Sequence, residues 1–162
     1  MMRVGLFSDS HGDHDALDEL LEKMGYVDAV CFLGDVARDA EHLRVRLAAM
    51  PNQPPLYAVR GNNDYFETCM LPWELLVELD SLRVYMTHGH RLSSLLGLAY
   101  KAQECGAQIA LFGHTHAALC ETVQDVTLIN PGSAGNFCRG GRARASVLEI
   151  HRGRFLVSNI LL

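Results

Sequence analysis

Hydrophobic positions in the first half of the chain fall into short runs separated by stretches of helical period. Val4-Gly5-Leu6-Phe7, 29–33 and 56–59 are apolar runs of strand length. Between the first two, Ala16, Leu17, Leu20, Leu21 and Met24 share one face of a helix predicted over 13–24, with Asp13 as its N-cap and Gly25 as its stop. A second helix is predicted over 39–50, ended by Pro51 and the Pro54-Pro55 pair. Strands alternating with helices are the mark of βαβ units and a mainly parallel sheet.

After Arg60 the pattern changes. Residues 73–79 and 83–87 read as strands joined tightly at Asp80-Ser81, an antiparallel arrangement. A helix over 94–104, stopped by Gly106, leads to short strands at 110–112, 117–122, 126–130, 145–150 and 155–160. Turn residues such as Pro131-Gly132-Ser133 and Arg152-Gly153 punctuate them. No repeat or linker divides the chain, so one domain over residues 1–162 is expected.

Composition narrows the partners. With 49% hydrophobic and 20% charged residues the chain can bury one sizeable core, while a net charge of -5 opposes non-specific binding to nucleic acid or anionic membrane. The opening apolar run stops at Asp9, short of a signal-peptide core or a membrane span. A cytoplasmic protein is expected, with neither membrane nor nucleic acid as partner. The 5 cysteines are odd in number and lack a C-x-x-C pair, which fits reduced thiols, and Cys31 sits in an apolar run as a core residue.

Chemistry gathers in polar motifs that begin within a residue or two of strand ends: Asp9-Ser10-His11, Gly34-Asp35, Gly61-Asn62-Asn63-Asp64 and His114-Thr115-His116. His88-Gly89-His90 follows the strand over 83–87. Loops at the carboxyl ends of strands in α/β sheets meet on one edge, where ligands bind. Convergence there would assemble carboxylates, imidazoles and a carboxamide without a thiolate, a set suited to Mn, Fe, Co, Ni or Zn. The set is too large for one ion. Two ions about 3.5–4 Å apart, sharing a carboxylate and a water, would use it fully, and such pairs hydrolyse phosphate esters.

Each motif alone has an ordinary explanation. Asp-x-His is a capped turn, Gly61-Asn62-Asn63 is common turn chemistry, and the double histidine is a surface strand pair whose members, two apart, face one side. Together and in this order, D-x-H, G-D, G-N-x-D, H-G-H and G-H-T-H resemble the calcineurin-like metallophosphoesterase superfamily. Small size and Asn130-Pro131-Gly132-Ser133 resemble its compact YfcE-type phosphodiesterases, and the retromer subunit Vps29 is similar in size and motif order. The likeness runs from about Val4 to Ile150 and implies a four-layer α/β/β/α sandwich.

Position by position, the resemblance implies that Asp9, His11 and His116 bind one ion, Asp35 bridges, and Asn62, His88 and His114 complete a second site. It places Asp35, Asn62, Asn63 and His88 at the reaction centre, where a metal-bridging hydroxide attacks a small phosphate ester. Manganese is the first expectation for the pair, with Zn, Fe, Ni or Co as alternatives. Vps29 departs from the ligand set at D-x-H and G-D, whereas every ligand position here is competent, which favours a hydrolase over a scaffold for protein partners. A phosphomonoesterase or nuclease of the same superfamily is the remaining alternative, and the likeness leaves room for a homo-oligomer. Asn63 departs from the histidine many members carry, and an amide is no general acid. His14 and His90 are candidates to replace it, against the plainer reading of a solvated first-turn residue and a core histidine. Arg60, Arg91, Arg139, Arg142 and Arg144 are candidate phosphate contacts, and Asn130-Pro131-Gly132-Ser133 is expected to shape the site through its backbone.

Overall fold

A computed structural model describes residues 1–64, 69–136 and 141–162. The βαβαβ run forms as the periodicity predicts: β1 (Met2–Phe7), α1 (His14–Met24), β2 (Ala29–Phe32), α2 (Ala37–Ala48) and β3 (Leu56–Ala58). Asp13 caps α1, its carboxylate accepting the Ala16 N–H at 3.1 Å, and Gly25 ends the helix at φ 68°. The chain then enters a second sheet through β4 (Glu74–Leu79), β5 (Leu82–Thr87), α3 (Leu95–Glu104), β6 (Ile109–Leu111), β7 (Leu119–Val123) and β8 (Val126–Asn130). It returns to the first sheet with β9 (Arg144–His151) and β10 (Arg154–Leu161).

The strand orders are β10-β9-β1-β2-β3 and β4-β5-β6-β8-β7. Neither sheet is mainly parallel, which corrects the expectation from the first half of the chain. In each, two parallel pairings sit beside two antiparallel ones: β4/β5, β7/β8 and β9/β10 are hairpins closed by short turns, and β9 returns antiparallel to β1.

Three apolar interfaces separate four layers. Strand residues alternate between faces, so Phe7, Val30, Phe32 and Val147 pack against Leu17, Leu20, Leu21 and Leu43 of α1 and α2. Their neighbours Val4, Leu6, Cys31 and Leu148 meet Val84, Met86, Ile109 and Ile129 of the second sheet. The outer face of that sheet, with Tyr85, Ala110 and Leu128, is covered by Leu98, Ala99 and Ala102 of α3. This is the expected α/β/β/α sandwich, and it explains why β1 and β2 read as continuous apolar runs: both their faces are buried. Cys31 lies in the central interface as expected; Cys138, Arg139 and Gly140 lie outside the described residues. Among the described residues no helix is long and apolar enough to cross a membrane.

Two parallel trios result, β1-β2-β3 in one sheet and β5-β6-β8 in the other. Their carboxyl ends deliver every motif to one edge of the sandwich.

Candidate metal centre

Asp9 and His11 follow β1, Asp35 follows β2, Asn62 follows β3, His88 follows β5, and His114 and His116 follow β6. Ligand atoms of Asp9, His11 and His116 lie within 4.8 Å of one another, and so do those of Asp9, Asp35 and His88. His11 Nε2 is 3.3 Å from His116 Nε2, which in turn is 3.3 Å from Asp9 Oδ1. His88 Nε2 lies 3.7 Å from Asp9 Oδ1 and 3.5 Å from Asp35 Oδ2. Asn62 Oδ1 stands 2.9 Å from His88 Nε2 and 3.0 Å from His114 Nδ1. All seven residues singled out in the sequence therefore converge, and Asp9 is the member common to both three-residue groups.

The Asp9 carboxylate is fully buried. Its Oδ2 accepts the Ser8 hydroxyl at 2.6 Å and the His114 N–H at 2.9 Å. Oδ1 has no hydrogen-bond partner at all. A buried carboxylate oxygen left bare is costly, by several kcal/mol for a full charge in an apolar medium, unless a cation completes it. Imidazole nitrogens of His116 and His88 face that same oxygen, so the donors present fit a divalent ion.

His88 is oriented by its other nitrogen, since Nδ1 donates to the Leu33 carbonyl at 2.7 Å and leaves Nε2 toward the carboxylates. Burial opposes charging this ring, but Asp35 and Asp9 beside it outweigh that and raise its pKa. For Asp35, burial pushes upward; His88 and the Asn63 backbone N–H prevail and hold the carboxyl at about 2.

Backbone conformation sets the directions of the candidate ligands. Asp9, His11, Asp35, His114 and His116 have φ of 52°, 48°, 48°, 67° and 58°. Left-handed non-glycine residues cost of order 1–3 kcal/mol each and gather where surrounding structure over-determines them. The double histidine is accordingly not a strand pair. Thr115 N–H donates to the Gly113 carbonyl at 2.8 Å in a tight turn, and His114 goes to the Asn62–His88 side while His116 goes to the Asp9–His11 side. Two motif glycines are there for space: a Cβ on Gly61 would lie 1.9 Å from Asp35 Oδ1, and one on Gly113 would lie 2.0 Å from Ser8 Oγ.

Several supporting residues were not singled out by the sequence. Asp39, buried in the first turn of α2, accepts Ser10 Oγ at 2.5 Å, the Gly12 N–H at 2.8 Å and His14 Nε2 at 2.9 Å, and so clamps the turn carrying His11. Asp64 accepts the Gly61 and Ala37 N–H groups, both at 2.7 Å, tying the Asn62 turn to the start of α2. Its place in the G-N-x-D motif was the available signal; Asp39 offered none. Asn130 and Ser133 also reach the site with their side chains. The Asn130 amide donates to the Gly113 carbonyl at 2.9 Å, and the Ser133 hydroxyl donates to the Asp9 carbonyl at 2.6 Å.

The Asn63 side chain holds the Asp35 carboxylate. Its Nδ2 donates to Asp35 Oδ2 at 2.7 Å and its backbone N–H donates to Oδ1 at 2.9 Å. His14 is not merely solvated, being paired with Asp39 and stacked on His42 at 4.1 Å. His90 packs 5.5 Å from the rings of both His88 and Trp73, with its pKa lowered by burial and by His88 and His114. Arg60 donates to the Leu71 and Cys69 carbonyls and lies over Trp73, with Arg91 over the same indole, so Arg60 braces a loop rather than a substrate.

The chain is similar to known proteins in sequence and in fold. The chain is 33% identical over 136 residues to the probable metallophosphoesterase YsnB of Bacillus subtilis, covering 82% of this chain and 75% of YsnB. It is 29% identical over 167 residues to the phosphodiesterase YfcE of Escherichia coli K12, covering 92% and 88%. The crystal structure of Vps29 from Chaetomium thermophilum superposes with a TM-score of 0.75 at 20% identity, covering 100% of this chain and 97% of that one, a likeness of fold. With the domain pattern of that family matched over residues 2–153, the chain belongs to the calcineurin-like phosphoesterase superfamily.

Proposed function

We propose that this chain is a dinuclear metal-dependent phosphodiesterase, a single cytoplasmic domain acting on a small phosphate ester. The observation that carries the reading is the buried Asp9 Oδ1, without a hydrogen-bond partner and faced by imidazoles of two separate motifs. Asp9, His11 and His116 would hold one divalent ion, and Asn62, His88 and His114 the other, with Asp35 between them. Manganese is the first candidate. Bound there, the ions would acidify water and offset charge on the phosphoryl oxygens.

In the hydrolysis, a water oxygen bonds to phosphorus as the P–O bond to the alcohol breaks; the attacking oxygen loses a proton and the departing oxygen gains one. His88, oriented through Leu33, and Asp35, oriented through Asn63, keep their donor atoms fixed while the phosphorus inverts. Because Asn63 is engaged with Asp35 and donates no acidic proton, departure of a poor alcohol goes unassisted from that position.

The test is hydrolysis of 4-nitrophenyl phosphate and bis(4-nitrophenyl) phosphate with each of Mn, Zn, Fe, Co and Ni, with Asp35→Asn as control. Expected are faster turnover of the diester and a loss of 100-fold or more in Asp35→Asn, on the order seen when a charge-stabilising group is removed. Undiminished activity in that variant would overturn the mechanism. Inactivity with every metal would overturn the enzymatic reading and leave a scaffold for protein partners.

A further inference from the structure

A cavity of about 240 Å³ opens beside the metal centre, with His114 in its wall. Leu92, Leu95, Leu98 and Phe112 supply its apolar wall, Ser93, Ser94 and Thr115 are among the other lining residues, and apart from His114 no side chain that carries charge lines it. Leu98 and Phe112 are anchored in the core beneath α3, while Leu92 and Leu95 are half-buried and pack against that core from the mouth. The cavity is continuous with the site: Gly113 lines it and donates to the His88 carbonyl at 3.0 Å, and His114 Nδ1 lies 3.0 Å from Asn62 Oδ1. A phosphodiester with its phosphoryl group at the ligand cluster must send its organic arms outward, and this wall is one direction they can take.

We propose that this cavity is a specificity pocket for an uncharged apolar arm of the substrate, such as an aryl or short branched alkyl group on the diester. Its walls set the chemistry. They desolvate carbon and offer no lysine, arginine or carboxylate to the charged groups of a sugar-phosphate or polyphosphate arm, which would lose hydration there. The neighbouring cavity, which shares Leu92, is bordered by Arg91, Lys101 and Glu74, charged groups that a carbon arm would have to desolvate. The inference rests on the phosphodiesterase reading for its account of why a phosphoryl group sits next door.

The test separates the two. Zinc-loaded protein is titrated with diphenyl phosphate and with dimethyl phosphate by calorimetry, and amide shifts locate the bound ligand. Diphenyl phosphate is expected to bind about tenfold or more tightly than dimethyl phosphate, from burial of one ring. Its shifts should centre on Leu95, Leu98 and Phe112. Leu95→Asn and, separately, Leu92→Ser, both at the half-buried mouth, should abolish that preference while leaving dimethyl phosphate affinity unchanged. Equal affinity for the two diesters, or diphenyl phosphate shifts away from this wall, would overturn the pocket. Failure to hydrolyse bis(4-nitrophenyl) phosphate with any metal strikes the parent reading alone, and the binding comparison still decides the pocket.

Discussion

Replacing Gly61 with alanine would put a carbon 1.9 Å from Asp35 Oδ1 and 2.6 Å from both its Cγ and its backbone nitrogen. Real Cβ contacts stay beyond 3.0 Å, so the carboxylate has to retreat by about an ångström or the Asn62 turn has to move. Neither can shift freely. Asn63 binds both carboxylate oxygens, at 2.9 and 2.7 Å, and Asp64 pins the Gly61 N–H at 2.7 Å. Losing one hydrogen bond to a charged group removes about 1.5–3 kcal/mol, and overpacking adds about 1–3 kcal/mol. Partial relaxation leaves an expected destabilisation of about 3 kcal/mol. Because the retreating group is the proposed bridging carboxylate, metal affinity should also fall by roughly 10–100-fold, as when a ligand's support is removed. Urea unfolding of metal-free protein reads the first effect and calorimetric metal titration the second. Gly25→Ala is the control, since its Cβ meets nothing within 4 Å at φ 68°; it should cost about 1 kcal/mol of backbone strain and leave metal binding alone. A Gly61→Ala variant with the wild-type unfolding midpoint and metal affinity would refute the claim that this glycine exists to admit Asp35.

Other consequences can be checked in parallel. Asp39→Ala strips the acceptor from Ser10, Gly12 and His14; a loss of about 3 kcal/mol in unfolding free energy is expected, with weaker metal binding at His11, and unchanged metal binding would show that the clamp does not position that ligand. Rates for a series of aryl diesters should fall steeply as the leaving-group pKa rises, because Asn63 supplies no acid; a flat series would reveal one elsewhere. Burial pushes the Cys31 thiol from 9.0 up to about 12, so iodoacetamide at pH 8 should label exposed Cys120 and spare Cys31 until the protein unfolds. The folded value is the raised one. Stability from burying the neutral thiol is therefore complete below pH 9 and declines as pH climbs toward 12, which alkaline unfolding curves of Cys31→Ala and the parent will compare.

Local chemistry was legible because its causes are local. The apolar face of α1, its Asp13 cap and its Gly25 stop follow from 3.6-residue periodicity and turn conformations that need no distant partner. The hairpin at Asp80-Ser81 and the buried runs of β1 and β2 were readable for the same reason. The candidate ligands were visible because metal chemistry restricts residue type, and five motifs each sit at a strand's end. Strand order was not, since nothing in β9 announces that it lies antiparallel to β1, a pairing made only when both sheets must cover their faces. The left-handed turn at His114-Thr115-His116 was invisible too: alternation along a chain looks alike in a strand and in a turn, and packing against Asp9 and Asn62 decides between them. Asp39 carried no readable role and Asn63 only the place its motif implies, because the bonds of a buried carboxylate and a side-chain amide come from what the fold sets within 3 Å of them. Sequence thus determined which groups are present and where each strand delivers them, while tertiary structure decided which oxygen would be left bare among the histidines, since burial and hydrogen-bond satisfaction are properties of the assembled sandwich.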